Sequence, residues 1–137
     1  MTVPAAPRPL VLVVEDSRDL REAVALILKH EGYRTVSVAD GLQALDVSER
    51  EQPDLILLDY SMPRLDGAGF CRAYRERGGE APVVLMTAAL RVTIEDAQKL
   101  VVECGAAAFI TKPFAVDELL ETVDRCVTSP TARREWP

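Results

Sequence analysis

Five apolar runs alternate with five amphipathic segments along this chain of 137 residues. Most runs are near-continuous valine, leucine and isoleucine, and apolar and polar residues do not alternate along them. Such runs are typical of strands that are covered on both faces. They are Leu10–Val14, Thr35–Val38, Leu55–Leu58, Val83–Met86 and Ala107–Ile110. The pattern therefore predicts five buried strands.

The segments between the runs carry apolar residues at helical spacing. In the first, from Ser17 to Glu31, Leu20, Val24 and Leu28 fall on one stripe, and Gly32 supplies a helix stop. The other four helices are expected to end before Pro53, at Gly78-Gly79, at Gly105 and near Ser129-Pro130. Strict strand–helix alternation with short connections indicates an α/β domain whose parallel sheet has helices on both faces.

Composition excludes several classes of partner. The formal net charge is -6, which argues against a surface that binds nucleic acid directly. No apolar run approaches the about 20 residues that span a bilayer, and residues 1–9 lack the features of a secretory signal. We therefore expect a cytoplasmic protein with a flexible N-terminus at residues 1–9 and no membrane partner.

The three cysteines, Cys71, Cys104 and Cys126, are widely spaced and odd in number. Each falls at an apolar position of a helical stripe. This placement favours small core residues in a reducing compartment over metal ligands or disulfides.

Polar residues collect where the predicted strands end, which is where open parallel sheets bind ligands. If the first and third strands are neighbours, Glu15, Asp16 and Asp59 converge. Two carboxylates about 5 Å apart repel by roughly 3 kcal/mol at an effective dielectric near 20, so such a cluster either raises a pKa or binds a cation. A small open set of oxygen ligands favours Mg²⁺ over Ca²⁺. These acids, and Asp40 after the second strand, each precede a predicted helix, so capping of helix N-termini is the alternative. Capping is favoured for Asp40.

Lys112, Thr87 and Ala88 complete this edge of the sheet. The Lys112 ammonium suits a phosphate, and the Thr87 hydroxyl and the Ala88 amide can donate hydrogen bonds. Phosphoryl transfer needs positioning and charge stabilisation more than covalent help, and an aspartate can accept the group as an acyl phosphate. Lys112 could equally be a structural ion-pair partner of Asp59.

Four motifs in order resemble the receiver domain of two-component response regulators, in its chemotaxis-type single-domain architecture. They are Val14-Glu15-Asp16; Leu57-Leu58-Asp59-Tyr60-Ser61-Met62-Pro63 with Asp66-Gly67; Met86-Thr87-Ala88; and Thr111-Lys112-Pro113-Phe114. The resemblance spans Leu10 to Val127. It implies a flavodoxin-like, doubly wound (βα)5 sandwich with strand order 2-1-3-4-5, a receiver domain at residues 10–127 and a short tail at 128–137.

The resemblance also implies roles for the site. Asp59 would accept a phosphoryl group from a phosphohistidine on a sensor histidine kinase or phosphotransfer protein. Asp16, Asp59 and the backbone carbonyl of Ser61 would ligate Mg²⁺, with Glu15 helping through water. Lys112 and Thr87 would bind phosphoryl oxygens beside Ala88. The chain would then be no enzyme beyond catalysing its own phosphorylation and dephosphorylation.

The same resemblance implies a switch. Phe109 would change rotamer when Thr87 moves towards the phosphoryl group, altering a face made by the fourth helix, fifth strand and fifth helix, which an unknown downstream protein reads. Without the resemblance, Phe109 could equally be a plain core aromatic. The Lys112-Pro113 peptide bond is expected to be cis.

The sequence departs from the family at several positions. The segment Ala88–Ile94 is a few residues long for the family, which affects the output face. Ala115 stands where a capping residue is common, Phe109 where a tyrosine is also common, and Ser61 and Ala89 are small residues beside the site.

Other classes of function fit the sequence less well. A standalone receiver is favoured, and a receiver excised from a longer regulator or hybrid kinase is its close variant. A haloacid-dehalogenase-type phosphotransferase would carry a second aspartate where Ser61 stands. A phosphorylation-independent adaptor would have lost part of the acid, threonine and lysine set, which is complete here.

Overall fold

The computed structural model describes residues 8–62, 65–88 and 93–127. Its strands are β1 Leu10–Val14, β2 Arg34–Val38, β3 Leu55–Asp59, β4 Val83–Ala88 and β5 Ala108–Lys112. Its helices are α1 Arg18–His30, α2 Gly41–Glu51, α3 Gly67–Glu76, α4 Ile94–Cys104 and α5 Val116–Val127. All neighbouring strands are parallel, in the order β2-β1-β3-β4-β5. The predicted fold class and strand order are confirmed.

The strand ends differ from the sequence prediction in a way that matters for the site. Asp59 is the last residue of β3 and pairs with Met86, and β4 and β5 extend to Ala88 and Lys112. The polar residues at this edge therefore sit on hydrogen-bonded backbone. Apolar runs alone placed the ends too early, because the ladder continues for one or two residues past the last apolar side chain.

Two apolar clusters fill the space on the two faces of the sheet. One packs β-strand side chains against Val24 and Leu28 of α1 and Leu119 and Val123 of α5. The other packs the opposite strand face against α2, α3 and α4, with Phe70 at its centre. This arrangement explains why the strands lack alternation, since both of their faces are buried.

Helix ends follow local chemistry. The Asp40 side chain accepts a hydrogen bond from the Gln43 amide and caps α2, as the capping alternative predicted. Gly32 follows α1 with a φ of 101°, a conformation that glycine adopts without strain. No helix in the described ranges is long and apolar enough to cross a bilayer.

Several predictions fall partly or wholly outside the described residues. These are the flexible N-terminus at 1–7, Pro63, Ala89, most of the longer segment 88–94 and the tail 128–137. Arg8 and Pro9, the two described residues of the N-terminus expected at 1–9, contact Arg34. The carbonyls of Arg8 and Pro9 accept hydrogen bonds from the side chain and amide of Arg34, respectively.

Candidate functional site

The predicted acidic trio is assembled in the structure. Because β1 pairs with β3, Glu15 follows β1 at the level where Asp59 ends β3. Carboxylate oxygens of Glu15, Asp16 and Asp59 lie within 4.8 Å of one another. Glu15 and Asp59 are only 1% and 4% exposed, whereas Asp16 faces solvent. The cluster thus has two buried carboxylates and one open side.

Lys112 contacts both buried acids from the end of β5. Its ammonium nitrogen lies 2.6 Å from Oε1 of Glu15 and 3.3 Å from Oδ1 of Asp59. The second oxygen of Glu15 accepts a hydrogen bond from the Ser17 amide at 3.0 Å, so Glu15 is fixed from two sides. Lys112 therefore is an ion-pair partner of both buried acids, and its side chain remains 23% exposed.

Burial and the neighbouring carboxylate shift the pKa of Asp59. Burial, followed by the neighbouring charge of Glu15, raises its pKa from 3.8 to about 6, while Lys112 and a hydrogen bond from the Ser61 amide act in the opposite direction. Burial and like-charge repulsion together raise the pKa of Asp59 more than Lys112 and the Ser61 amide lower it. A cation placed among the three carboxylates would relieve both costs.

The donor set fits a magnesium ion. Oxygens that share one Mg²⁺ at about 2.1 Å lie roughly 3–4 Å apart, so oxygens already within 4.8 Å need only small side-chain rotations. All three protein ligands are carboxylates, the hard donors that this ion prefers. The trio is thus able to bind a metal, and the Ser61 backbone follows Asp59 closely at the same edge.

Thr87 and Ala88 lie at the end of β4, between β3 and β5. Thr87 pairs in register with Thr111 and Ala88 with Lys112, which brings both residues level with the end of β5. The hydroxyl oxygen of Thr87 is buried and has no hydrogen-bond partner among the residues that the structure describes. A buried hydroxyl without a partner is costly, so this oxygen is available for a ligand.

Phe109 lies on the same face of the sheet as Thr87, two residues nearer the start of the strands. It pairs with Leu85, two residues before Thr87, and side chains two apart share a face. Phe109 is half-buried against the α2–α3–α4 cluster and also lines an open cleft with Val101 and Val102. The Lys112-Pro113 peptide bond between these elements and α5 is cis.

Arg21 is a site residue that the sequence reasoning missed. Its guanidinium donates to the carbonyl oxygen of Glu15 at 2.9 Å and to that of Asp16 at 3.4 Å. Both carbonyls lie just past β1, where the chain leaves the sheet. The signal was present in the sequence, since a basic residue in the first turns of α1 can reach back to the loop before the helix.

Comparison with known proteins decides the family. The sequence model described as "Response regulator receiver domain" matches residues 11–124. The chain belongs to this family. As a receiver domain it is a signalling phosphoacceptor with an acidic site, and not an enzyme in the usual sense.

Relatives of this receiver domain include longer proteins. Response regulator MprA of Mycobacterium sp. (strain KMS) is 37% identical over 93% of this chain and 54% of its own length. MprA of Mycobacterium avium (strain 104) is 39% identical over 80% of this chain and 47% of its own. The chain thus spans about half the length of these curated relatives.

Solved receiver structures match over nearly their whole length. The Francisella response regulator 1452 receiver domain has a TM-score of 0.80 at 27% identity, covering 93% of this chain and 98% of that one. Vibrio cholerae CheY4 has a TM-score of 0.79 at 30% identity, covering 87% and 98%. The receiver domain of sensor histidine kinase PA1611 from Pseudomonas aeruginosa PAO1, solved with magnesium coordinated in its active site cleft, has 0.78 at 31% identity, covering 89% and 99%.

Proposed function

We propose that this receiver domain takes a phosphoryl group from a phosphohistidine onto Asp59 in a Mg²⁺-dependent reaction. The observation that carries the proposal is the convergence of Glu15, Asp16 and Asp59 within 4.8 Å, opposed by Lys112. The phosphodonor would be a sensor histidine kinase or phosphotransfer protein in the cytoplasm, as the family implies.

The residues have distinct tasks in the transfer. A carboxylate oxygen of Asp59 attacks the phosphorus, the bond from phosphorus to the imidazole nitrogen breaks, and its electron pair stays on the ring. Asp59 must be ionised to attack, and a pKa of about 6 leaves it mostly ionised at pH 7. Lys112 and Thr87 then donate to phosphoryl oxygens.

Glu15, Asp16 and Asp59 would hold the ion together with the Ser61 carbonyl. The bound ion supplies positive charge beside the phosphoryl oxygens. The magnesium in the PA1611 receiver structure supports this choice of metal.

The test is phosphorylation by a small acyl phosphate, with intact mass as readout. We expect the wild-type chain to gain one phosphoryl group with Mg²⁺ and none with a chelator present. Asp59→Asn should gain none. Asp40→Asn is the matched control, because Asp40 caps α2 and should leave labelling intact. Full labelling of Asp59→Asn would refute the assignment.

The output would pass through the face of α4, β5 and α5 to a downstream protein. Val102 on α4 is 82% exposed, and Phe109 reaches this face from the sheet. With Mg²⁺ and beryllofluoride, amide shifts should extend from the pocket through β5 into α4 and α5. Shifts confined to residues around Asp59 would contradict the switch while leaving the phosphoacceptor in place.

A standalone receiver would signal by protein contact with its downstream partner. The longer MprA relatives define the alternative, a receiver that is part of a larger regulator. The length of the natural reading frame distinguishes the two.

A further inference from the structure

Two of the three cysteines meet between neighbouring helices. Cys71 on α3 and Cys104 on α4 are 2% and 5% exposed and belong to the same apolar cluster. Their thiols are close enough to perturb each other's pKa, and both cysteines are free. Cys126 lies in the cluster on the opposite face of the sheet, which separates it from this pair.

The pair is close to solvent in spite of its burial. Cys71 and Cys104 both line a cleft between α3 and α4, together with Arg72, Val102 and Gly105. Val102, Arg72 and Gly105 are exposed, so the cleft is open to a molecule as small as a peroxide.

The two thiols are chemically unequal. Interaction with Cys104, followed by burial, raises the pKa of Cys71, whereas interaction with Cys71 lowers the pKa of Cys104 in spite of its burial. Cys104 is therefore the better candidate for the thiolate that meets an oxidant, with Cys71 in contact to complete a disulfide.

We propose that Cys71 and Cys104 form an oxidant-sensitive pair that peroxide converts into an intramolecular disulfide linking α3 to α4. The Cys104 thiol loses its proton and the thiolate attacks one peroxide oxygen. The oxygen–oxygen bond breaks, Cys104 becomes a sulfenic acid, and the departing hydroxide takes up the lost proton as water. The Cys71 sulfur then attacks the Cys104 sulfur, its sulfur–oxygen bond breaks, and the departing hydroxide takes the Cys71 proton as water. Two thiols are oxidised and one peroxide is reduced to two waters.

The link would restrain α4, which is one element of the proposed output face. This consequence rests on the proposed function, whereas the disulfide itself does not. Asp59 lies at the carboxyl end of β3 and is not one of the residues that line the cleft, so an oxidised chain should still accept a phosphoryl group. Its beryllofluoride-induced shifts in α4 should be smaller than those of the reduced chain.

The test treats the full chain with hydrogen peroxide and measures intact mass and alkylatable thiols. We expect a mass loss of about 2 Da, the two hydrogens given up, and one alkylatable thiol remaining in the denatured protein. Peptide mapping of the wild type should join the segments that contain Cys71 and Cys104. Cys126→Ala is the matched control and should still lose this mass.

Cys71→Ala and Cys104→Ala should each abolish the loss while retaining the native circular dichroism spectrum. If either variant misfolds, the wild-type peptide map decides. A bridge to Cys126, oxygen addition without hydrogen loss, or three alkylatable thiols after oxidation would overturn the proposal. Failure of Asp59 labelling in the reduced chain would count against the proposed function and not against the disulfide.

Discussion

Lys112 and Glu15 form an ion pair at 2.6 Å although they are 97 positions apart in the chain. The separation from Lys112 to Asp59 is longer, 3.3 Å, so without a cation the lysine is engaged chiefly by Glu15. A divalent ion bound to the carboxylates would take over their neutralisation. The lysine would then be free to turn towards a phosphoryl oxygen.

Replacing Lys112 should make Asp59 harder to ionise. In metal-free Lys112→Met, the pKa of Asp59 should rise above its value of about 6, because the charge of the lysine lowers that pKa against the effects of burial and Glu15. Carbon NMR of the Asp59 carboxyl during a pH titration measures this. Lys99→Met, on the exposed side of α4, should leave the pKa unchanged. An unaltered pKa in Lys112→Met would show that the lysine does not act on Asp59.

Asp59→Asn should stabilise the metal-free protein at neutral pH. A folded-state pKa of about 6 lies above the ordinary value of 3.8, so the folded chain binds this proton more tightly than the unfolded chain. The group's stabilising contribution is complete below about pH 4 and is lost as pH rises through about 6. The variant should therefore be more stable than wild type by roughly 1–3 kcal/mol at pH 7.

Urea denaturation at pH 4 and pH 7 in the presence of a chelator checks this expectation. The two proteins should converge at pH 4, where Asp59 is largely protonated in the folded wild type. A difference that stays constant over this range would mean that the effect has another origin. Adding Mg²⁺ at about 100 times its dissociation constant should stabilise the wild type by about 2.7 kcal/mol and the variant by less.

Arg21 should position the metal ligands through their backbone. Arg21→Lys keeps the charge, but it replaces the planar Nη1 donor, which contacts both carbonyl oxygens, with an ammonium on a shorter and more mobile side chain. We expect Mg²⁺ binding to weaken about two- to tenfold, the effect of one hydrogen bond. Calorimetric titration measures it. Arg18→Lys is the control, since the Arg18 guanidinium pairs with Glu22 on the surface of α1. Equal affinities in the two variants would deny Arg21 this role.

Features of the fold and site that depend on hydrophobic periodicity and strand order could be predicted from the sequence. Parallel pairing of β1 and β3 was enough to bring Glu15 and Asp59 together, because adjacent parallel strands end at the same edge. The contact between Cys71 and Cys104 could not be found in this way. It depends on how α3 and α4 rotate and cross, which side-chain packing sets and an apolar stripe does not record.

The engagement of Lys112 by Glu15 was also missed. The sequence suggested Asp59 as its structural partner, and the structure shows the shorter contact to Glu15. Both acids converge on the end of β5, and the choice between them is made by rotamers over less than 1 Å. Spacing along the chain carries no information at that scale.

Asp40 should contribute to the stability of the fold and not to metal binding. Asp40→Ala should lower the free energy of unfolding by about 0.5–2 kcal/mol, because the α2 cap to the Gln43 amide is lost. Mg²⁺ affinity should not change, since Asp40 is not one of the three converging acids. Denaturation and calorimetric titration of the same preparation check both halves. A large loss of Mg²⁺ affinity would place Asp40 in the metal site.

Thr87→Val should weaken the proposed switch without lowering the stability of the fold. The Thr87 hydroxyl is buried without a partner among the described residues, so removing it should leave stability unchanged or raise it by about 1 kcal/mol. The same change removes the donor proposed to follow the phosphoryl group, so beryllofluoride should shift the Phe109 amide much less than in wild type. Thr111→Val, the register partner on β5, is the control and should keep the Phe109 shift. A destabilised Thr87→Val with an unchanged Phe109 response would mean that the hydroxyl is structural and that the two residues are uncoupled.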